Sequence, residues 1–484
     1  MAQFINNSSP HRHVLQVGRC PPNAVAPPRP SLLTPSHMSD TSQEFLASLK
    51  TDGIRFVRIL WCDNANIIRG KAVHIGMLLH YIEHGVGISA GQQGVPVMYD
   101  AVMPASGLGP VGEVRLIPDW SNLTPLPYAL GHARVMGNMI LDRQPWALCP
   151  RNFLQRMIDR AASAGIEIQA AFENEFYLLQ QSDNEIVPAD ETPFAATSAM
   201  DRNCAVIDAI ANALLAQKIP VEQYYPESGP GQHEISMRYT YAMSAADRQI
   251  AFRETVRAIA LQYNLKACFL PKIFADAAGS GCHLHLSLWH DNHNLLLDPD
   301  GVDCLSSTAR SFIAGILDHL PSLMALTTPT TNSYRRILPH YWSGAFRCWG
   351  VDNREAAVRV PSDPSHKCPT HFELKTVDAS ANPYLALGAT IAAGIDGINR
   401  HLDLGDPVNV DPGYLAATER QQRGIDRLPK NLGEAIAHLK KNTTLLNALN
   451  QQLSQAFLAV RQAEWEAMKD LDLNAEVKML VERY

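Results

Sequence analysis

The chain has 484 residues, 46% apolar and 18% charged, enough for one very large or two ordinary buried cores and too apolar for a mostly disordered chain. A formal net charge of −7 excludes a general nucleic-acid or anionic-membrane binder, which needs a basic face, but not a local basic pocket for a small phosphate ligand. Nine scattered cysteines without a Cys-x-x-Cys pair point to a reducing, cytoplasmic setting, and the longest apolar stretch, Ala386 to Ile398, is too short and interrupted to span a membrane.

Residues 1–37 carry seven prolines, three arginines and no acidic residue, a composition that does not offset chain entropy. They lack the apolar core of a secretory signal. The plain reading is an upstream start, with Met38-Ser-Asp-Thr resembling an ordinary N-terminus; an organelle transit peptide is the alternative. A strand is predicted from Phe56 to Trp61, then a turn at Asp63-Asn64 and the basic stretch Arg69-Gly70-Lys71. Gly107-Leu-Gly109-Pro-Val-Gly112 matches a dinucleotide-binding pattern on paper, but Pro110 sits inside it and a strand, not a helix, is expected to follow. Pro150 opens a predicted helix that Gly165 stops, and helices alternate with strands from there to a mostly helical end, Leu432 to Leu480. The expected class is α+β: an extension 1–40, a small strand-rich domain 41–143 and a large domain 144–484.

Four strand-like segments alternate polar with apolar residues, so that positions i and i+2 share a face. In Ala171-Phe-Glu-Asn-Glu-Phe, Glu173 and Glu175 lie together, opposite Phe172 and Phe176. Glu227 and Glu234 bracket a Gly-Pro-Gly turn. In Cys282-His-Leu-His-Leu-Ser, His283, His285 and Ser287 share one face and the apolar residues the other. Glu373 and Lys375 do the same in His371-Phe-Glu-Leu-Lys. Each alone also reads as an ordinary solvated face or a structural histidine pair. Together they supply five glutamates and a histidine, a thiolate-free donor set that suits two Mg²⁺ or Mn²⁺ ions. Between the last two segments lie Arg335, Arg336, Arg354 and Arg359, planar donors for carboxylate and phosphate oxygens. No P-loop is present.

With Asn-Ser-Tyr-Arg-Arg, Asn-Arg-Glu-Ala-Ala-Val-Arg-Val-Pro and Asp-Ala-Ser-Ala-Asn-Pro-Tyr-Leu-Ala-Leu in the same order, the set resembles the glutamine synthetase family, and within it the divergent branch of gamma-glutamyl-amine ligases. The resemblance implies a small β-grasp domain and a large catalytic domain with a curved antiparallel sheet flanked by helices. It implies ATP-dependent activation of the glutamate γ-carboxylate as an acyl phosphate and its coupling to ammonia or an amine. Glu175, Glu227 and Glu234 would hold one Mg²⁺ or Mn²⁺, and Glu173, His283 and Glu373 a second. His285 and Ser287 would contact the nucleotide, and Arg354 and Arg359 the transferring phosphate. Arg336 and the Gly279 backbone would hold the amino acid, and Glu113 would take the proton of the incoming ammonium. Two stacked rings of six subunits are expected, with each site between neighbouring subunits.

Four positions depart from the glutamine-forming enzymes in that comparison. Ala278 replaces an Asn, Glu113 an Asp, Lys375 an Arg that binds the substrate carboxylate, and Trp342 a Glu that helps collect ammonium. Trp removes charge attraction for ammonium and adds a wall suited to an alkylamine; Lys for Arg gives up a bidentate grip. The metal and phosphate half is thus expected to be intact and the acceptor half altered. A non-catalytic ring that keeps the fold, and an unrelated two-metal hydrolase, are the competing readings.

Overall fold

The computed structural model describes residues 38–182, 185–362 and 368–484; the expected tail 1–37 lies outside them. Helix Met38–Thr51 begins within the expected extension 1–40, where the proline-rich composition ends. The first sheet runs in the order Ile68–His74, Phe56–Cys62, His132–Leu141, Glu113–Pro118, Val86–Ser89. Its strands bury alternate residues, among them Val57, Ile59, Val114, Leu116 and Val135, as a one-sided sheet requires. The glycine pattern at 107–112 runs into the strand Glu113–Pro118 without a helix, so it is not a nucleotide loop.

The second sheet has the order Val221–Pro226, Gln232–Met237, Glu167–Ser182, Cys282–His290, Phe372–Leu374, Ala356–Val360, Phe346–Val351. Its pairs are antiparallel except the last, which is parallel. One face is apolar: Phe172, Phe176, Ile235, Leu284, Leu286, Val358, Phe372 and Leu374 are all buried in one core. The helices Pro150–Ser163, Ala242–Gln262, Ser307–Thr327 and Pro383–Asn399 contribute to that core. The opposite face carries the polar residues of the alternation. Gly231, in the left-handed region at φ +68°, turns the chain between the first two strands, and a Cβ on Gly229 would lie 1.9 Å from the Tyr177 hydroxyl, so this turn tolerates only glycine there. No helix among the described residues is long and apolar enough to cross a membrane.

Arg151 ties the two sheets' surroundings together. From the first turn of its helix it donates to Asp247 at 3.0 and 2.9 Å, to Asp119 at 2.7 Å and to Asn138 at 2.8 Å. The Tyr384 hydroxyl also donates to Asp247, at 2.7 Å. Burial works against the Arg151 charge, yet Asp247, Tyr384 and Asp119 hold its pKa well above the usual value. Removing one partner of such a buried network typically costs about 3–5 kcal/mol. Arg151→Met should therefore lower the urea midpoint of unfolding sharply, whereas the same change at Arg143, in an exposed turn, should leave it in place.

Candidate active site

Residues facing each other across antiparallel strands stand about 4.5–5.5 Å apart at Cβ. The register pairs Glu234 with Glu175, Glu173 with His283, His285 with Glu373, and Glu373 with Arg359. One row across five strands thus carries acid, acid, imidazole, acid and guanidinium on the face turned away from the helices. The four sequence segments converge as the i, i+2 alternation requires, and the register brings them into line.

His283 sits at the middle of the row. Its Nδ1 lies 3.0 Å from Glu173 Oε2 and 3.2 Å from Glu373 Oε1, and its Nε2 lies 3.8 Å from Glu175 Oε1. His285 Nε2 is 3.5 Å from Glu173 Oε2 and makes no hydrogen bond. Ligand atoms of Glu173, His285 and Glu373 all fall within 4.8 Å of one another, so His285, expected only at the nucleotide, stands with the expected ligand His283 beside the Glu173–Glu373 pair. Arg359 Nη1 donates to Glu373 at 3.0 Å and Lys375 Nζ at 3.2 Å. Glu175 Oε2 accepts from the Gly281 amide at 3.0 Å and from Gln232 Nε2 at 3.2 Å.

The electrostatics divide the row. Burial followed by the Glu227 charge pushes Glu175 up to about 7. Burial with Glu173, Glu175 and Glu227 pushes Glu234 up to about 10. Burial also works against ionised Glu373, but Lys375, His283 and His285 outweigh it and hold the carboxyl at about 2. Burial and then Lys375 depress His283 to about 4, leaving it neutral, the form that ligates a metal.

Arg336 is buried and donates to the Lys375 and Val377 carbonyls at 3.2 and 2.9 Å. Its Nε, like that of Arg359, is buried without a partner. Gly279 lies against Arg336: a Cβ there would stand 2.6 Å from Arg336 Cγ. Ser287 accepts from Trp289 Nε1 at 2.8 Å, and both line a cavity of about 830 Å³ that runs from Glu173 and His285 to Met237, Tyr239 and Trp289. This volume and its mixed polar and apolar lining fall in the range of small-ligand sites. Trp342 is 57% exposed, with the Arg354 guanidinium 6.0 Å from its ring centre. Lys375, expected at the substrate carboxylate, is buried with its ammonium 3.2 Å from Glu373 Oε1.

Glu113 stands apart. It lies on the first sheet, its side chain 66% exposed and paired with Arg115 at 3.0 Å, and no described hydrogen bond or ion pair links it to the row. Within one chain the structure does not bring it to the other expected residues. Sequence reasoning also passed over Gln232, whose amide joins Glu175 to Ser280 and the Gly279 carbonyl, and Tyr177, which donates to the Ala278 carbonyl at 2.6 Å. It missed Glu355 too, buried beneath Trp342.

A sheet face of this kind, with acids, imidazoles and arginines beside a cavity, defines a site for a metal-assisted reaction of an anionic substrate. The family model described as "Glutamine synthetase N-terminal domain" matches residues 43–146, and "Glutamine synthetase, catalytic domain" matches residues 147–480. The chain is 36% identical over 464 residues to type-1 glutamine synthetase 1 of Dictyostelium discoideum, covering 91% of each. It is 35% identical to the gamma-glutamylpolyamine synthetase GlnA3 of Streptomyces coelicolor, covering 88% of this chain and 92% of that one. Among solved structures, a novel glutamine synthase homolog superposes with a TM-score of 0.80 at 32% identity, covering 89% of this chain and 99% of that one. GmaS in complex with ADP does so at 0.79 and 28%, covering 90% and 99%. The chain belongs to the glutamine synthetase family and is an ATP-dependent ligase of the type that joins glutamate to ammonia or an amine. Membership implies ATP, divalent metal ions and small-molecule substrates in general.

The donor set fits hard divalent cations. Buried carboxylates repelled by one another and a neutral imidazole are what a cation site presents before loading. Because Glu175 and Glu234 have raised pKa values, both hold protons in part or in full at neutral pH, and a cation must displace them. Calorimetric titration of the metal-free protein with Mn²⁺ at pH 7, in buffers of differing ionisation enthalpy, should show about one to two protons released per chain. Affinity should rise from pH 6 to pH 8, and Glu234→Gln should reduce the proton count.

Proposed function

We propose that this ligase couples glutamate to a primary amine in preference to ammonia. What supports the reading is a contrast: the acid–imidazole–arginine row is complete, while Trp342, at the position the resemblance gives to the acceptor side, is an exposed indole under the Arg354 guanidinium. An indole gives an alkylammonium a cation–π face and its alkyl chain an apolar surface, and bare ammonium has no chain to use the second.

In this reading Glu175, Glu227 and Glu234 would hold one Mg²⁺ or Mn²⁺, and Glu173, His283 and Glu373 the other, with His285 beside them. Bound there, the ions offset phosphate charge. His285 and Ser287 open the cavity to ATP. Arg336, through its free Nε, and the Gly279 backbone seat glutamate; Lys375 gives the substrate carboxylate only a contact shared with Glu373. The γ-carboxylate oxygen attacks the γ-phosphorus, the bond to ADP breaks, and an acyl phosphate forms. Arg354 and Arg359 hold the phosphoryl oxygens as charge moves onto them. The neutral amine nitrogen then attacks the acyl carbon, phosphate leaves, and the nitrogen loses a proton. Glu113 of a neighbouring copy is the acceptor of that proton, which accounts for its distance from the row within one chain and fits a dodecamer of two hexameric rings. The division of labour follows domains 41–143 and 144–484, and the setting is cytoplasmic.

The test is ATP-dependent phosphate release with glutamate plus ammonium, then with a panel of mono- and polyamines. The best amine should exceed ammonium in kcat/KM, and Trp342→Glu should move that ratio toward ammonium by about tenfold, since such contacts are worth about 1–2 kcal/mol. A wild-type preference for ammonium sinks the reading. Glu175→Gln should abolish product while the assembly elutes unchanged; full turnover by that variant would place the chemistry elsewhere.

A further inference from the structure

The wall that carries Trp342 is held in a costly shape. His340 and Trp342 both lie in the left-handed region, at φ +67° and +54°, with Gly344 beyond them at +71°. L side chains disfavour that region, bulky ones most. One buried side chain holds the turn: Glu355, 6% exposed, accepts from the Trp342 amide with Oε1 at 2.6 Å and from the His340 amide with Oε2 at 3.2 Å. Both oxygens of the carboxylate are thus bonded to the backbone of one tight turn. Around this grip, His340 Nδ1 meets Asp411 Oδ2 at 2.7 Å, and the Ser343 hydroxyl closes the turn on the Leu338 amide and carbonyl at 3.0 and 2.8 Å.

Glu355 is itself fixed. Its amide donates to Asn353 Oδ1 at 3.0 Å, and Asn353 Nδ2 donates to the Val410 carbonyl, also at 3.0 Å. It directly follows Arg354 and heads the strand Ala356–Val360, which carries Arg359. One short turn therefore sets both the phosphate arginines and the acceptor wall. We propose that Glu355 is a positioning residue: by clamping the loop Leu338–Gly344 in its left-handed shape, it presents Trp342 to the nitrogen substrate and so sets the choice between amine and ammonium. The selectivity part rests on the amine reading above. A carboxylate is needed because two N–H groups point at it; an amide offers one acceptor and turns an NH₂ toward the second N–H.

Glu355→Gln decides the matter by two readouts. KM for the best alkylamine, read with ATP and glutamate saturating, should rise about tenfold, while KM for ATP, read with the amine saturating, should change far less. Acrylamide quenching of the Trp342 emission, isolated as the difference between each protein and its Trp342→Phe counterpart, should increase. Equal loss of turnover with every nitrogen donor, with quenching unchanged, would reduce Glu355 to a structural part and overturn the proposal. If the wild type prefers ammonium, the amine reading fails by itself, and the quenching difference still judges the clamp. Should Glu355→Gln not fold, Glu355→Asp, one methylene shorter, carries the same comparison and should shift both readouts in the same direction.

Discussion

Like charges set side by side across a buried sheet are the constraint from which the rest of this structure follows. Two ionised carboxylates about 5 Å apart repel by about 3 kcal/mol at an effective dielectric of 20. Glu175 faces Glu234 across one strand pair, and Glu173 stands two residues from Glu175 on the same face. The protein relieves this in two ways. At one end of the row, Lys375 and Arg359 neutralise Glu373. At the other, nothing cationic is equally close among the described contacts, and protons remain on the carboxyls. The end without counter-charge is the end that an incoming cation stabilises most.

Such a row persists only if the strands cannot slip. A one-residue slip would send Glu173 and His283 into the helix-covered core and bring Phe172 and Leu284 to the site face. Burial of the apolar set therefore fixes the site as well as the fold. The network of Arg151, Asp247, Asp119 and Tyr384 adds a second lock, since it bonds the helices behind the sheet to the end of the strand Glu113–Pro118.

Which residues share a face was legible in the sequence, because the period of two is a local property. Glu173 with Glu175, His283 with His285, and the apolar partners on the other face all follow from it. Register is not local. That His285 lies opposite Glu373, and so stands with His283 at the Glu173–Glu373 pair, depends on how two strands separated by some eighty residues of chain align. Glu355 and Gln232 act on backbone groups whose direction is set only by the folded turns around them, so their roles had no trace in composition or spacing. The resemblance supplied roles for single residues, and for Lys375 the structure adds a buried ion pair with Glu373.

The two halves of the proposed site differ in how they are built. The row is part of a ladder in which each strand is bonded on both sides and backed by core, so a change at one position disturbs its neighbours. The acceptor wall is a turn of a few residues held chiefly by one carboxylate, one His–Asp pair and one serine hydroxyl. Position 342 points outward from that turn and contributes nothing to the ladder. Its side chain bears on the rest of the site through the Arg354 guanidinium, 6.0 Å from the ring centre, and through no strand pairing. Choice of nitrogen donor is in this sense physically separable from activation of the acid, and the turn between Asn353 and Ala356 is where the two are joined.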